Sequence, residues 1–310
     1  MTTLNLNQRA AKVAASAAEL AGVTLHQSPL ARILDCTRGG LDAGVALARA
    51  SLADLAHVSL VPCHLAGLPG PMVAVRSDDA LAACLACQYA GWQIKGEGYF
   101  AMGSGPMRAA AAKEPIFAEG FLPTEEPAVA VGTLETGQAP PEPVLEQLRS
   151  QLPPSVNDLS LMFAPAASIA GTLQVVARSL ETALHKLHEL KFDMTSVRCG
   201  YGEAPFPQVA KDELKAIGWT NDAILYAGRV TIWVECDDDH LAELGPKVPS
   251  SASDDFGAPF AELFARYGDF YKIDPLLFSP AEVTFHNLRS GRTHVFGATA
   301  VDVLRKSLGL

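Results

Sequence analysis

Short apolar runs alternate with helical stretches along the 310-residue chain, and this alternation limits the possible folds more than any other feature. Residues 58–61, 72–75 and 230–234 have the length and the aliphatic content that are typical of buried strands. Ala-rich stretches, such as residues 41–55, have the periodicity of helices. The pattern therefore predicts an α/β fold of mixed α+β character.

A chain of this length can fold as two medium-sized lobes, each with its own core. The best candidate for a boundary is the Pro-rich region between residues 138 and 154. The sequence therefore predicts an N-terminal α/β lobe over residues 1–150 and a C-terminal α/β lobe over residues 151–310. An exchange of segments between the two lobes is left open.

Charge and composition exclude several classes of partner. The net charge is −10 and no stripe of Lys and Arg is present, which argues against a nucleic acid or an anionic membrane as partner. No run of about 18 apolar residues occurs, and the first residues do not resemble a secretory signal. The six scattered cysteines suit free thiols in a reducing compartment. We therefore expect a cytoplasmic protein.

Two short motifs raise the question of a metal site. Cys84 and Cys87 form a lone C-x-x-C pair, and His185 and His188 are three residues apart on a predicted helix. A structural zinc ion needs four ligands, and neither a second cysteine pair nor an HEXXH motif is present. We favour buried thiols and ordinary histidines, with redox or metal chemistry as the alternative, and expect no metal.

A Gly-rich turn precedes a predicted helix at residues 103–106 (GSGP), and Arg108 lies in the first turn of that helix. Free backbone N–H groups at the start of a helix bind anions well, so the turn is a candidate cradle for a substrate. A plain turn is the alternative, because two glycines alone are weak evidence. Neither a Walker motif nor a complete GxGxxG motif is present, so the sequence does not support nucleotide binding.

The longest predicted helix covers residues 168–190 and has two different sides. At 100° per residue, an apolar stripe runs along one side. A polar side opposite that stripe carries Gln174, Arg178, Glu181 and His185. One interpretation is a solvated surface with an Arg–Glu pair of little energetic value. The other is that this side lines a cleft, where Arg178 orients Glu181 as a general base for water.

Several stretches, taken together and in order, resemble the methenyltetrahydromethanopterin cyclohydrolases. They are residues 90–94 (AGWQI), 99–108 (YFAMGSGPMR), 177–187 (ARSLETALHKL), 200–202 (GYG), 220–226 (TNDAILY) and 272–283 (KIDPLLFSPAEV), with Asn287 and Gly291. Two positions depart from what the family leads us to expect. Glu203 stands where a neutral residue is expected, and Met107 where a small one is.

The resemblance implies a two-lobed subunit with a cleft between the lobes, assembled as a homotrimer. It implies a reaction without a metal or redox cofactor, in which a methenyl pterin is opened to its 5-formyl form. Arg178 and Glu181 fall on the family's catalytic Arg-x-x-Glu positions. The residues expected to contact substrate are Trp92, Gly103, Ser104, Gly105, Arg108, Gln174, Asn221, Asp222, Lys272, Asp274 and Ser279.

Two other functions remain open from the sequence. One is another pterin or folate one-carbon enzyme, although a dehydrogenase should carry a dinucleotide fingerprint, and none is visible. The other is a pterin-binding protein that has lost its activity. The retention of Arg178 and Glu181 argues against this second alternative.

Overall fold

The computed structural model describes residues 4–268 and 272–310. The chain forms two compact units, and each unit is built from two separate segments. Unit 1 comprises Met1–His57 and Leu81–Gln174, and unit 2 comprises Val58–Ala80 and Val175–Leu310.

The helices and strands follow one another in an alternating order, as the sequence predicts. The α-helices are α1 (Leu6–Ala17), α2 (Leu41–Ser51), α3 (Met107–Ala111), α4 (Pro115–Ala118), α5 (Glu142–Gln151), α6 (Ile169–Val176), α7 (Ser179–Glu189), α8 (Glu213–Ala227), α9 (Asp238–Leu244), α10 (Phe260–Tyr267) and α11 (Val301–Leu308). The strands are β1 (Thr24–Gln27), β2 (Arg32–Asp35), β3 (His57–Pro62), β4 (Pro71–Ser77), β5 (Trp92–Gly96), β6 (Tyr99–Ser104), β7 (Val129–Glu135), β8 (Asp158–Ala164), β9 (Val197–Pro205), β10 (Arg229–Val234), β11 (Glu282–Asn287) and β12 (Thr293–Gly297).

Unit 1 contains a six-stranded mixed sheet in the order β1-β2-β8-β7-β6-β5. The central strands β2, β8 and β7 run parallel, and antiparallel strands complete both edges. Successive residues of β8 contribute to two different cores, since side chains alternate between the faces of a strand. Leu161 joins the core that includes residues of α5, whereas Met162 joins the core that includes residues of α1 and α2.

Unit 2 contains a second six-stranded mixed sheet, in the order β12-β11-β10-β9-β4-β3. Strands β10 and β11 are parallel, and β9 runs antiparallel to both of its neighbours, β10 and β4. Helix α8 lies beside α10 and α11, and apolar residues of these three helices form one core cluster. The α/β class predicted from the sequence is confirmed.

The division between the units differs from the boundary proposed near residue 150. Strand β8 follows that boundary but pairs with β7 of unit 1, so unit 1 continues to Gln174. Residues 58–80 precede the boundary but belong to unit 2, because β4 pairs with β9. Long-range strand pairing therefore determines the two units more than the Pro-rich region does.

The single long helix predicted over residues 168–190 is wrong in one respect. The helix is interrupted at Ala177 and Arg178, so the segment forms two helices, α6 and α7. Neither Pro nor Gly marks the break, and the buried residues Ala177 and Leu180 continue the apolar stripe across it. Periodicity alone therefore could not reveal it.

No helix in residues 4–268 and 272–310 is long and apolar enough to cross a membrane.

Candidate active site

Two glycines of β9 let the start of helix α7 lie unusually close to the sheet of unit 2. A Cβ atom on Gly200 would lie 2.6 Å from Leu180 Cδ1. A Cβ atom on Gly202 would lie 2.7 Å from Ser179 Oγ and 2.8 Å from the Leu180 backbone nitrogen. The backbone nitrogen near Gly202 leaves no room for a side chain, so this position requires glycine, whereas at Gly200 the Leu180 side chain would have to move. The pair fixes the first turn of α7, which carries Glu181.

Arg178 and Glu181 form an ion pair at the beginning of α7. The Arg178 Nε and Nη2 atoms donate to Glu181 Oε2 at 3.1 and 3.0 Å. The Glu181 side chain is only 2% exposed, whereas that of Arg178 is 14% exposed. The interpretation of this side as a solvated surface is therefore wrong for Glu181. These two Arg178 donors converge on one oxygen, Oε2, and so orient the Glu181 carboxylate.

Glu181 also lies in the first turn of α7, beside the N–H groups at the start of that helix. The unpaired N–H groups at a helix start carry partial positive charge, which stabilises a nearby carboxylate. Removal from water strengthens the attraction to Arg178. An oriented and largely dehydrated carboxylate is what a general base requires.

The two histidines of α7 lie near Glu189, and not in a complete metal-ligand set. His185 Nε2 is 3.8 Å and His188 Nδ1 is 3.7 Å from Glu189 Oε1. Burial lowers the pKa of His185, so the neutral form is favoured. Cys84 and Cys87 lie buried in a π-helix, Leu81–Gln88. Within the described ranges, no group of three or more His, Cys, Asp or Glu side chains could hold a metal ion.

Glu203, the unexpected acidic residue, has partners on the side of β9 opposite to α7. Side chains alternate along a strand, so Glu203 and Tyr201 face away from the side on which Gly202 contacts α7. Tyr201 donates its hydroxyl to Glu203 Oε2 at 2.6 Å. His64 Nε2 and Arg229 Nη1 lie 3.4 and 3.8 Å from Glu203 Oε1. The Glu203 carboxylate therefore has its own hydrogen-bond and charged partners, on the face of β9 away from the Arg178–Glu181 pair.

Arg108, expected to bind substrate, is enclosed within unit 1. Its side chain is 0% exposed, and its Nε donates to Glu114 Oε1 at 2.9 Å. Its Nη1 donates to the carbonyls of Leu85 at 2.8 Å and Cys87 at 3.4 Å. The guanidinium also lies over the Tyr89 ring, 5.0 Å from its centroid. These partners satisfy Arg108 within unit 1, so it holds together the segments around the turn.

The GSGP turn itself is tightly packed. Gly105 has a φ of 96°, and its N–H donates to the Cys87 carbonyl at 2.7 Å. Ser104 Oγ lies 2.6 Å from Thr133 Oγ1, and the Ser104 residue is buried. The following helix, α3, has only five residues and gives a weak dipole. The alternative of a plain, structural turn therefore fits the structure better than an anion cradle.

Trp92, Gly103 and Met107 meet beside this turn. Trp92 pairs with Gly103 across the β5–β6 hairpin and is half-buried. Met107 is fully buried, and a Cβ atom on Gly132 would lie 2.2 Å from its sulfur. Gly103 would likewise bring a Cβ atom within 3.2 Å of Met107 Cε. The larger residue at 107 is thus accommodated by glycines of the core.

Asn221 and Asp222 of α8 make their hydrogen bonds within unit 2. Asn221 Nδ2 donates to the Ile217 carbonyl of its own helix at 2.8 Å. Asp222 is 1% exposed and accepts hydrogen bonds from the Phe260 backbone N–H at 3.0 Å and from the Ser307 hydroxyl. Asp222 therefore joins α8 to the start of α10 and to α11. Burial raises its pKa to about 7.

The remaining predicted residues differ widely in exposure. Lys272 is exposed, Asp274 is half-buried, and Gln174 is buried at 6% exposure near the end of α6. Ser279 is fully buried, and its hydroxyl has no hydrogen-bond partner in the described part of the chain. Asp274 and Ser279 belong to the same unit as the Arg178–Glu181 pair.

Comparison with known proteins adds a decisive observation. A family model described as Cyclohydrolase (MCH) matches residues 5–308. The chain belongs to the MCH cyclohydrolase family. The methenyltetrahydromethanopterin cyclohydrolase of Rhodopirellula baltica is 48% identical over 288 residues, which cover 90% of this chain and 86% of that protein. A protein of the same name from Methylobacterium sp. strain 4-46 is 42% identical and covers 94% of this chain and 93% of its own length.

An archaeal relative with the same name, from Methanococcoides burtonii, is 37% identical over 285 residues. That match covers 90% of this chain and 89% of the relative. The resemblance inferred from short sequence stretches is therefore confirmed over almost the whole length of this MCH family member.

Sequence reasoning missed the part that Gly200 and Gly202 play in this member of the MCH family. Their spacing of two residues puts both on one face of β9, and two glycines on one face of a strand allow another element to approach closely. Lys186 was also missed, although a single lysine beside the apolar stripe of a helix is an unusual signal.

Proposed function

We propose that the chain is a cyclohydrolase that interconverts 5,10-methenyltetrahydromethanopterin plus water and 5-formyltetrahydromethanopterin. The observation that carries the proposal is the buried Glu181 carboxylate, held by Arg178 on the family's Arg-x-x-Glu positions. The relatives named for this activity cover most of the chain and support the same substrate class.

In the proposed mechanism, Glu181 takes a proton from water as the water oxygen bonds to the methenyl carbon. The methenyl bridge is an amidinium-like cation and is already electrophilic, so the step needs no metal ion to polarise it. The bond from that carbon to nitrogen 10 then breaks, and nitrogen 10 takes up a proton from Glu181. As that bond breaks, the hydroxyl group of the adduct loses its proton to solvent and becomes the formyl oxygen, so one water is consumed, one proton is released, and atoms and charge balance.

Arg178 has a supporting part in this mechanism. Its two donors hold Glu181 Oε2, so that Oε1 can face the water. A fixed geometry reduces the entropy lost on reaching the transition state. Arg178 therefore orients the base.

The proposal extends to the state of the protein. We propose a homotrimer that works in the cytoplasm and needs neither a metal nor a redox cofactor. Mass measurement in solution and activity after exhaustive chelation test these parts. A fully active monomer would contradict the trimer. An activity lost on chelation and restored by one metal would contradict cofactor independence.

The activity itself is tested by turnover of purified methenyltetrahydromethanopterin without any added cofactor. Turnover is measured as the loss of the near-ultraviolet absorption band of the substrate. A methenyl folate control tests the pterin class. Turnover of the folate alone, or only with an added cofactor, would favour another one-carbon enzyme. Stoichiometric binding without turnover would favour a binding protein.

A further inference from the structure

Lys186 lies on the same helix as Glu181 but is almost completely buried. It is 2% exposed, although lysine is among the residues least often buried. Its ammonium group donates a hydrogen bond to the backbone carbonyl of Leu276. Leu276 belongs to the short 3-10 turn Pro275–Leu277, ninety residues further along the chain. The bond therefore ties a distant segment of unit 2 to α7.

The segment that Lys186 holds is braced at a second point. Asp274 Oδ1 accepts the Leu276 backbone N–H at 2.9 Å, and Asp274 Oδ2 accepts the Ser253 hydroxyl at 2.6 Å. The Asp274 backbone N–H in turn donates to Asp255 Oδ2 at 3.2 Å. The turn is thus fixed on one side by the loop around Ser253 and on the other side by α7.

A lysine is a costly choice if stability alone is required. An apolar side chain of similar length would avoid the desolvation of a charge, and such replacements are often neutral or stabilising. Burial lowers the pKa of Lys186 to about 8, and the nearby Asp274 charge opposes this effect. The arrangement therefore carries an electrostatic penalty that packing does not explain.

We infer that Lys186 is a positioning residue for the cyclohydrolase reaction, because it sets the segment of residues 272–279 relative to the helix that carries Glu181. The inference rests on the proposed function. The segment includes Lys272, whose exposed ammonium group suits the acidic tail of a pterin, and Ser279, whose buried hydroxyl lacks a partner among the described residues. Lys186 itself touches the segment and not the substrate.

The test compares three variants of the full-length protein. Lys186→Met keeps the length of the side chain and removes the donor, and Lys186→Arg restores a cationic donor. Lys215→Met is the matched control, because Lys215 is an exposed lysine on α8 of the same unit, lying over the Trp219 ring at 4.6 Å. The measurements are KM and kcat for the methenyl pterin, backbone hydrogen exchange of residues 272–279 without substrate, and the melting temperature.

We expect Lys186→Met to raise KM by about tenfold, with a smaller change in kcat. We expect hydrogen exchange in residues 272–279 to become faster by about fivefold or more, because the segment loses one of its two anchors. Lys186→Arg should recover part of both effects, the melting temperature should not fall, and Lys215→Met should resemble the unaltered protein.

An unchanged KM or unchanged exchange in Lys186→Met would overturn the inference. If Lys186→Met does not fold, Lys186→Leu, which also lacks a donor, is measured in its place, with the same outcomes decisive. If the unaltered protein does not turn over the pterin, the proposed function fails. In that case the exchange measurement still shows whether Lys186 positions the segment.

Discussion

The Arg108–Glu114 and Arg178–Glu181 pairs have opposite distributions of burial. In unit 1, the guanidinium of Arg108 is fully enclosed and the Glu114 side chain is 19% exposed. In unit 2, the Glu181 carboxylate is the enclosed partner and Arg178 is the more exposed one. Arg108 also donates to two backbone carbonyls, and the Nε and Nη2 atoms of Arg178 both donate to one carboxylate oxygen of Glu181.

This difference separates a structural pair from a pair suited to chemistry. An enclosed guanidinium cannot lose its proton and holds its surroundings in place through several hydrogen bonds. An enclosed carboxylate can accept a proton, and one orienting partner leaves it an oxygen for water. Whether the arginine or the glutamate is the buried partner therefore indicates whether an Arg–Glu pair is structural or suited to chemistry.

The largest expected effect in free energy belongs to Arg108→Met. This change should lower the free energy of unfolding by about 4 kcal/mol, because Glu114 loses its cation and two carbonyls lose their donors. Turnover per folded molecule should not change. Urea denaturation, together with rates normalised to folded protein, measures both quantities. A fully stable variant with impaired turnover would show instead that Arg108 contacts the substrate.

The second prediction concerns the enclosed carboxylate. Glu181→Gln keeps the size of the side chain and removes its basicity, so kcat should fall at least about a hundredfold, equivalent to about 3 kcal/mol. Substrate binding should be largely kept. Glu189→Gln is the matched control, because Glu189 lies on the same helix and is 47% exposed. Near-normal turnover of Glu181→Gln would contradict its assignment as the base.

A smaller effect is expected when the orienting partner is removed. Arg178→Ala should lower turnover by about tenfold and change its pH profile, because Glu181 is no longer oriented. The free energy of unfolding should fall by about 2 kcal/mol, more than for an exposed pair, since the buried carboxylate loses its cation. Arg178→Lys should restore the charge but only part of the rate. A large loss of stability with an unchanged rate per folded enzyme would mark the pair as structural.

The smallest effect concerns Asp222, a buried carboxylate with an amide and a hydroxyl as hydrogen-bond partners. Because burial raises its pKa to about 7, the protonated form is favoured in the folded state. Its contribution to stability should be complete below about pH 4 and should be lost as the pH rises through 7. Between pH 6 and 7, the unfolding free energy should fall by about 1 kcal/mol relative to Asp222→Asn. If the unfolding free energies of the two proteins changed with pH in parallel, the titration of Asp222 would not contribute to the pH dependence of stability.

The sequence predicted the local features of the fold and the spacing of the site. Residues 230–234 were predicted as a strand and form most of β10, and residues 41–55 were predicted as a helix and contain α2. The i,i+3 spacing of Arg178 and Glu181 was sufficient to predict their pairing. These features depend on neighbours within a few residues.

Features that depend on distant neighbours could not be predicted. Arg108 is paired with Glu114 and donates to carbonyls more than twenty residues earlier in the chain. No local sequence pattern indicates these partners. The burial of Glu181 depends on the approach of α7 to Gly202 of β9. The exchange of residues 58–80 into unit 2 depends on which strand β4 pairs with.

The pairing of β4 with β9 has a consequence for how the chain is made. Met72 pairs with Pro205, so a ribosome synthesises the whole second segment of unit 1 before the partner of β4 exists. During that interval the hairpin of β3 and β4 presents an unpaired edge to other chains. Unit 1 can fold before β4 pairs with β9, with residues 58–80 looped out between its two segments. The nascent chain is therefore most exposed to misassembly between the emergence of β4 and that of β9.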